Sequence, residues 1–282
     1  MVNHMCSTIG MFDSGVGGLT VYMELKKRRP NVNIVYFADT CRQPYGPRNQ
    51  VEVAEFCDEI LHFLKRHGAD VCIIACNTAT AATFDNKVNE RKTFADVPIF
   101  GTIPFASKEA LKYGNRIGVL ATAGTCRSGA YSRACIDLEP NAKVIQMPCH
   151  EFTGIVEDGK IKDPYTKKVA LDYMDPCRGR KIDSLIYGCT HYPILSPVIK
   201  DVLWKEYGEP HVKLINPAKA LVDKILERVK PCKGKPITRF CVNADPEGFA
   251  IRANRILPLK LKRQIAGSKD VTALCELVDL RA

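Results

Sequence analysis

Short apolar runs alternate with longer amphipathic stretches along most of the chain, and this alternation narrows the possible folds more than any other feature. Thr8–Phe12, Asn33–Ala38, Val71–Ala75, Val97–Gly101, Arg116–Ala121, Ala142–Met147, Ile182–Tyr187, Val212–Ile215 and Ile237–Val242 read as strands. Between them lie helix-patterned segments such as Gln50–Arg66, where Val53, Phe56, Ile60, Phe63 and Leu64 recur at helical spacing. Runs rich in β-branched residues need cover on both faces, which helices between parallel strands supply. The expected class is α/β, with open, doubly wound, mainly parallel sheets. In such sheets ligands bind beyond the carboxyl ends of the strands, so chemistry is to be sought just after each run. At 282 residues the chain is long enough for two domains of roughly 150 residues each.

An internal repeat sharpens this expectation. Asp70-Val71-Cys72-Ile73-Ile74-Ala75-Cys76 and Asp183-Ser184-Leu185-Ile186-Tyr187-Gly188-Cys189 each end an apolar strand on a cysteine six residues after an aspartate. Asn77-Thr78 follows the first and Thr190-His191 the second. Ile9-Gly10-Met11-Phe12-Asp13-Ser14 and Ile117-Gly118-Val119-Leu120-Ala121-Thr122 form a second pair at nearly the same offset. A duplicated α/β unit follows from this: two similar domains related by a pseudo-twofold axis, with the active site in the cleft between them. The expected division is residues 1–103 plus 217–282 for the domain carrying Cys76, and 104–216 for the domain carrying Cys189.

Two thiols that approach one cleft from opposite sides suit the inversion of a stereocentre. One thiolate removes a proton from carbon while a thiol delivers another to the opposite face. A free cysteine titrates near ~8.5, so both forms are reachable with modest tuning. A helix N-terminus after each strand would favour the thiolate. His191 and Asp13 are placed to carry the remaining proton traffic.

Other residues exclude more than they suggest. The net charge is +10, but the basic groups Lys26-Lys27-Arg28-Arg29, Lys160 to Lys168 and Lys260-Leu261-Lys262-Arg263 lie in separate regions. A solvated surface is the expectation, and a nucleic-acid partner is not. Thirteen cysteines at irregular spacing, with no second pair at metal-site spacing, argue against a disulfide framework and a zinc site. Apart from Cys76 and Cys189, the cysteines, Cys6 and Cys232 among them, are expected to be structural thiols. Of these, Cys41 and Cys149 are expected near the cleft. Asp13-Ser14-Gly15-Val16-Gly17-Gly18 is open to three readings: a carboxylate site, a tight turn or a phosphate loop. The phosphate loop lacks its usual glycine spacing and lysine. No lysine sits in a pyridoxal-binding context, so neither metal nor organic cofactor is expected. No apolar run approaches the ~18 residues of a membrane span, and the first seven residues show no secretory pattern. A cytoplasmic protein with no membrane partner is expected.

Asp13-Ser14-Gly15-Val16-Gly17-Gly18-Leu19-Thr20, Pro44-Tyr45-Gly46, Ala75-Cys76-Asn77-Thr78-Ala79 and Gly188-Cys189-Thr190-His191-Tyr192-Pro193, in this order, resemble the glutamate racemase family. The resemblance runs from Ile9 to about Phe249; the tail beyond Leu257 has no counterpart. It implies a cofactor-independent isomerase that interconverts L- and D-glutamate and supplies D-glutamate for peptidoglycan. By resemblance, Cys76 and Cys189 are the two acid/bases, with Cys189 acting on L-glutamate and Cys76 on D-glutamate. Asp13-Ser14, Pro44-Tyr45-Gly46, Asn77-Thr78 and Thr190-His191 match segments that hold the amino acid. Thr122 and Thr125 resemble a hydroxyl-bearing loop that touches a carboxylate. Glu157 falls where the family carries an assisting acid, although Thr153-Gly154 is smaller and more polar than the usual pattern. A homodimer is possible. An aspartate racemase or another two-thiol isomerase or lyase of the same fold is the alternative, and a basic nucleic-acid-binding protein the remoter one.

Overall fold

The computed structural model describes residues 6–280, so residues 1–5, part of the stretch read for a signal segment, lie outside it. Among the described residues there are ten strands: β1 (Thr8–Asp13), β2 (Asn33–Ala38), β3 (Val71–Ile74), β4 (Ile99–Gly101), β5 (Arg116–Ala121), β6 (Lys143–Pro148), β7 (Ser184–Gly188), β8 (Lys213–Ile215), β9 (Thr238–Val242) and β10 (Cys275–Leu277). The α-helices in chain order are α1 (Leu19–Arg28), α2 (Gln50–Arg66), α3 (Asn77–Asp85), α4 (Thr102–Ala110), α5 (Ala123–Ser128) and α6 (Ala130–Leu138). They continue with α7 (Phe152–Glu157), α8 (Pro164–Met174), α9 (Ser196–Asp201), α10 (Pro217–Leu226), α11 (Pro246–Ile256) and α12 (Leu259–Ala266).

The strands form two wholly parallel sheets. One has the order β10-β9-β2-β1-β3-β4 and the other β6-β5-β7-β8. The four-strand pattern β2-β1-β3-β4 is thus repeated as β6-β5-β7-β8, which is what the paired sequence motifs implied. Central strands β3 and β7 are buried at every position, because helices cover both faces of each sheet. Separate apolar clusters fill the two sides of the first sheet, one around Ile9, Met11, Tyr36 and Phe240 and the other around Phe12, Phe37, Cys72 and Ile74. The second sheet is sandwiched in the same way, by the groups around Leu185 and Phe152 and around Ile117 and Tyr131. Burying each such side chain contributes about 1.5–3 kcal/mol.

Two features were not read from the sequence. Residues 258–280 add α12 and the short edge strand β10, which pairs with β9. Three residues, none fully buried, carry too little pattern to be read as a strand. Secondly, Cys6 and Cys232 are joined in a disulfide rather than standing as structural thiols. They are 226 residues apart in sequence, so spacing could not pair them. The placement of β9 beside β2 does, since the Cys232 amide also donates to the Asn31 carbonyl at 2.7 Å. No helix among the described residues is long and apolar enough to cross a membrane.

Candidate active site

The carboxyl ends of both sheets open on one cleft of about 620 Å³. A larger hollow, about 810 Å³, lies between α2 and residues 277–280. Its arginines are already engaged, Arg42 with Asp39 and Glu59 and Arg66 with the Leu280 carbonyl. Cys41 borders that hollow and not the cleft, contrary to expectation. The smaller cleft is where the chemically able side chains converge.

On one wall, β3 ends at Ile74 and the chain turns through Ala75 and Cys76 into α3. Cys76 is the N-cap of that helix, with extended backbone, and its sulfur accepts the Ala79 N–H at 3.5 Å. It is only 7% exposed. Burial pushes its thiol well above the ordinary range and the nearby Asp13 charge adds to this, while the Ala79 N–H opposes it. Asp13, at the end of β1, does not line the cleft but lies buried directly behind it. It accepts the Gly15 N–H at 3.2 Å and the Thr190 hydroxyl at 3.3 Å. Burial raises its carboxyl, with the His191 charge pulling the other way. Ser14, the next residue, faces the cleft.

The opposite wall is built from β7. Gly188 ends the strand, and Cys189, Thr190 and His191 follow before a short 3-10 turn over Tyr192–Leu195. Cys189 Sγ lies 3.7 Å from His191 Nδ1 and 3.9 Å from Thr153 Oγ1. His191 Nε2 in turn lies 3.0 Å from Glu157 Oε1. Burial works against charge on His191, yet its bonds to Cys189 and Glu157 raise it to about 10. Glu157, also desolvated, is held below its ordinary value by His191. The result is a buried imidazolium between a carboxylate and a sulfur. Glycine is required at position 17, because a Cβ there would collide with the Thr190 hydroxyl and the His191 ring. That contact is where the α1 approach meets the second sheet, and Thr20 Oγ1 ties it further by donating to the Thr190 carbonyl at 2.9 Å.

Three threonine hydroxyls close one end. Thr78, Thr122 and Thr125 form a triangle with edges of 2.9, 3.0 and 3.0 Å. Thr78 and Thr122 face the cleft, whereas Thr125 is fully buried and supports them from behind. Thr122 also caps α5 by accepting the Thr125 N–H. Pro44, Tyr45 and Gly46 border the cleft as a loop. The Tyr45 hydroxyl is committed to Asp39, so it is not what the loop offers a ligand. A Cβ at Gly124 would strike the Gly46 carbonyl, which shows how closely this loop packs on α5.

The expected residues Ser14, Pro44, Tyr45, Gly46, Cys76, Asn77, Thr78, Thr122, Glu157, Cys189, Thr190 and His191 all border one cavity, and Asp13 and Thr125 stand behind its wall. Sequence reasoning passed over Arg127, His150 and Thr153, which also face it. The strand-end rule would have found His150, two residues beyond β6, together with Cys149, which does border the cleft. Among the described residues, no group of three or more His, Cys, Asp or Glu is arranged to hold a metal.

Comparison with known proteins identifies the family. Residues 21–225 match the family model described as Asp/Glu/Hydantoin racemase. A glutamate racemase of Microcystis aeruginosa is 43% identical over 250 residues, covering 86% of this chain and 85% of its own length. Among solved structures, a Bacillus anthracis glutamate racemase superposes with a TM-score of 0.82 at 32% identity, covering 97% of this chain and 98% of that one. A Francisella tularensis glutamate racemase in complex with D-glutamate gives a TM-score of 0.83 at 29% identity, with the same two coverages. The chain belongs to the Asp/Glu/Hydantoin racemase family and is an amino-acid racemase that works without pyridoxal phosphate.

Proposed function

We propose that this protein is a glutamate racemase acting by two bases, Cys76 and Cys189, and that it supplies D-glutamate for peptidoglycan in the cytoplasm. The observation that carries this reading is the equivalence of the two sulfurs. Each stands just beyond the central strand β3 or β7 of a repeated four-strand unit, and both open on the same cleft. In this reading residues 1–103 plus 217–282 form the domain bearing Cys76, and 104–216 the domain bearing Cys189. Both thiols come from one chain.

Cys76, kept protonated by burial and by Asp13, is the acid when L-glutamate is bound. The His191 imidazolium is the counter-ion that a Cys189 thiolate would pair with. Cys189 removes the Cα proton of L-glutamate, the electron pair remains on the carbanionic carbon, and the Cys76 S–H delivers a proton to the opposite face. D-glutamate runs the same path backwards. Ser14 receives the substrate ammonium, with the buried Asp13 carboxylate behind it as the nearby charge, and the amide and hydroxyls of Asn77, Thr78, Thr122 and Thr190 receive its carboxylates. A dry cleft with fixed donors strengthens these interactions where carbanionic charge develops.

The test is a chiral assay on L-glutamate, D-glutamate and L-aspartate with no added cofactor, run in heavy water. Glutamate should racemise, and D product formed from L-glutamate should carry solvent deuterium at Cα from the first turnover. Early recovered L-glutamate should remain protonated. Exchange into the starting enantiomer ahead of product would point to a single base and overturn the two-base reading. Restored growth of a D-glutamate-requiring bacterium tests the peptidoglycan role.

A further inference from the structure

Asn77 is the first residue of α3, directly after Cys76, and it borders the cleft although it is almost wholly buried. Its side-chain oxygen is not free for a ligand. Oδ1 accepts the Tyr131 hydroxyl at 2.6 Å and the Thr102 hydroxyl at 3.0 Å. Both donors are buried, Tyr131 completely and Thr102 to within 1%. The Thr102 N–H donates to Thr80 Oγ1 at 3.2 Å, and Thr80 donates its own hydrogen to the Cys76 carbonyl at 2.9 Å. The Thr102 hydroxyl also lies 3.3 Å from Thr80 Oγ1, but Asn77 Oδ1 at 3.0 Å is its nearer acceptor.

A carboxamide has one acceptor end and one donor end, and rotation by half a turn exchanges them. A hydroxyl can accept as well as donate, but among the described residues the buried Tyr131 hydroxyl bonds only to Asn77, so the reversed amide would leave its hydrogen unpaired; Oδ1 therefore faces the hydroxyls and Nδ2 the cleft that Asn77 borders. The two donors come from different parts of the fold: Tyr131 from α6, which packs on the second sheet, and Thr102 from the start of α4, directly after β4 of the first sheet. The orientation of one amide thus depends on both sheets being correctly placed.

We infer that Tyr131 and Thr102 are positioning residues which lock the Asn77 carboxamide donor-inward, so that it meets a carboxylate of the bound amino acid with an N–H and never with a repelling oxygen. This rests on the glutamate racemase reading of the cleft. An unlocked amide would meet substrate and transition state equally badly, so the loss falls on KM rather than kcat. A hydrogen bond to a charged group is worth roughly ten- to hundredfold in affinity.

The experiment measures kcat and KM in both directions for wild type, Tyr131→Phe, Thr102→Val, Thr102→Ser, Asn77→Ala and the double variant Tyr131→Phe/Asn77→Ala, with a melting temperature for each. Tyr131→Phe and Thr102→Val should each raise KM by about tenfold with kcat within about threefold of wild type. Thr102→Ser, which keeps the hydroxyl, should restore KM. Adding Tyr131→Phe to Asn77→Ala should leave KM where Asn77→Ala alone puts it. A Tyr131→Phe effect of equal size with and without Asn77 would overturn the lock, as would unchanged KM in an active Tyr131→Phe enzyme. Should Tyr131→Phe fail to fold, the Thr102 pair decides: equal KM for Val and Ser overturns the proposal. A wild type inactive on glutamate of either hand overturns the glutamate reading itself and the lock with it.

Discussion

The two ends of the cleft start from the same place in a repeated fold and differ in what surrounds each sulfur. Cys76 caps a helix and receives a backbone N–H, with the buried Asp13 nearby as its charged neighbour. Cys189 leads into a 3-10 turn with no long helix behind it. Beside it stand a protonated imidazole, a carboxylate and a threonine hydroxyl. One sulfur is thus set among groups that favour the thiol, and the other beside a cation. The repeated unit places one thiol beyond β3 and the other beyond β7, and the segments after these strands give the two unequal surroundings. In the two-base reading proposed above, a cation beside Cys189 and a buried thiol at Cys76 suit the L enantiomer as starting substrate.

The largest effect should come from removing either sulfur. Cys76→Ser and Cys189→Ser should each lose racemisation by ~10²–10⁴-fold, the scale of a positioned acid or base. Their difference shows on substrates with a β-leaving group, where the Cα proton and that group depart and no reprotonation is needed. Cys76→Ser should still eliminate from the L form and Cys189→Ser from the D form. Variants that bind glutamate yet are equally dead on both would break the comparison.

Next in size is the ion pair. His191→Asn and Glu157→Gln should lower kcat by ~10–100-fold and slow alkylation of Cys189 far more than that of Cys76. The pair also has a pH signature. His191 is raised from 6.5 to about 10 on folding, so its contribution to stability is complete below pH 6.5 and fades as pH climbs to about 10. Glu157 lies below its ordinary 4.5, so its contribution is present above that value and lost as pH falls. The melting-temperature gap between wild type and His191→Asn should therefore be widest between about pH 5 and 6.5 and close by about pH 10. A gap that grows with pH would refute the buried imidazolium.

Thr153→Val is a finer probe, since it removes one hydroxyl at constant shape. The loss of a neutral hydrogen bond should slow Cys189 alkylation by about threefold to tenfold and leave Cys76 untouched. Equal slowing of both would mean that Thr153 acts on cleft access and not on the sulfur.

The smallest effect on turnover should follow loss of the disulfide. Cys6→Ala or Cys232→Ala removes a link that closes nearly the whole chain, and should lower the melting temperature by ~5–15 °C. Neither residue borders the cleft, so the kinetic balance between the two directions should stay as in wild type. A shift in that balance would tie the two ends of the cleft to the amino ends of β1 and β2.

How much was legible depends on whether a residue announces itself by local pattern. Strands such as Val71–Ile74 and Ser184–Gly188 are apolar throughout because helices cover both their faces, and that requirement is written into consecutive residues. The chemistry at strand ends was legible for the same reason: a parallel sheet must deliver Cys76 and Cys189 to its carboxyl edge. Edge strand β10 is short and partly exposed, so nothing forces its composition. Sequence alone also supplied the repeat, and the repeat puts two sulfurs on one cleft once its two units face each other. Which sulfur sits beside a cation, which way the Asn77 amide points, and that Cys6 meets Cys232 were decided only by tertiary structure. His191 joins Glu157, Tyr131 joins Asn77 and Thr153 joins Cys189 across separations of 34, 54 and 36 residues. Hydrogen bonds and charges act over a few ångströms: packing of α7 on the segment after β7 brings the first and third pairs within that range, and packing of one sheet's helices against the other's brings the second.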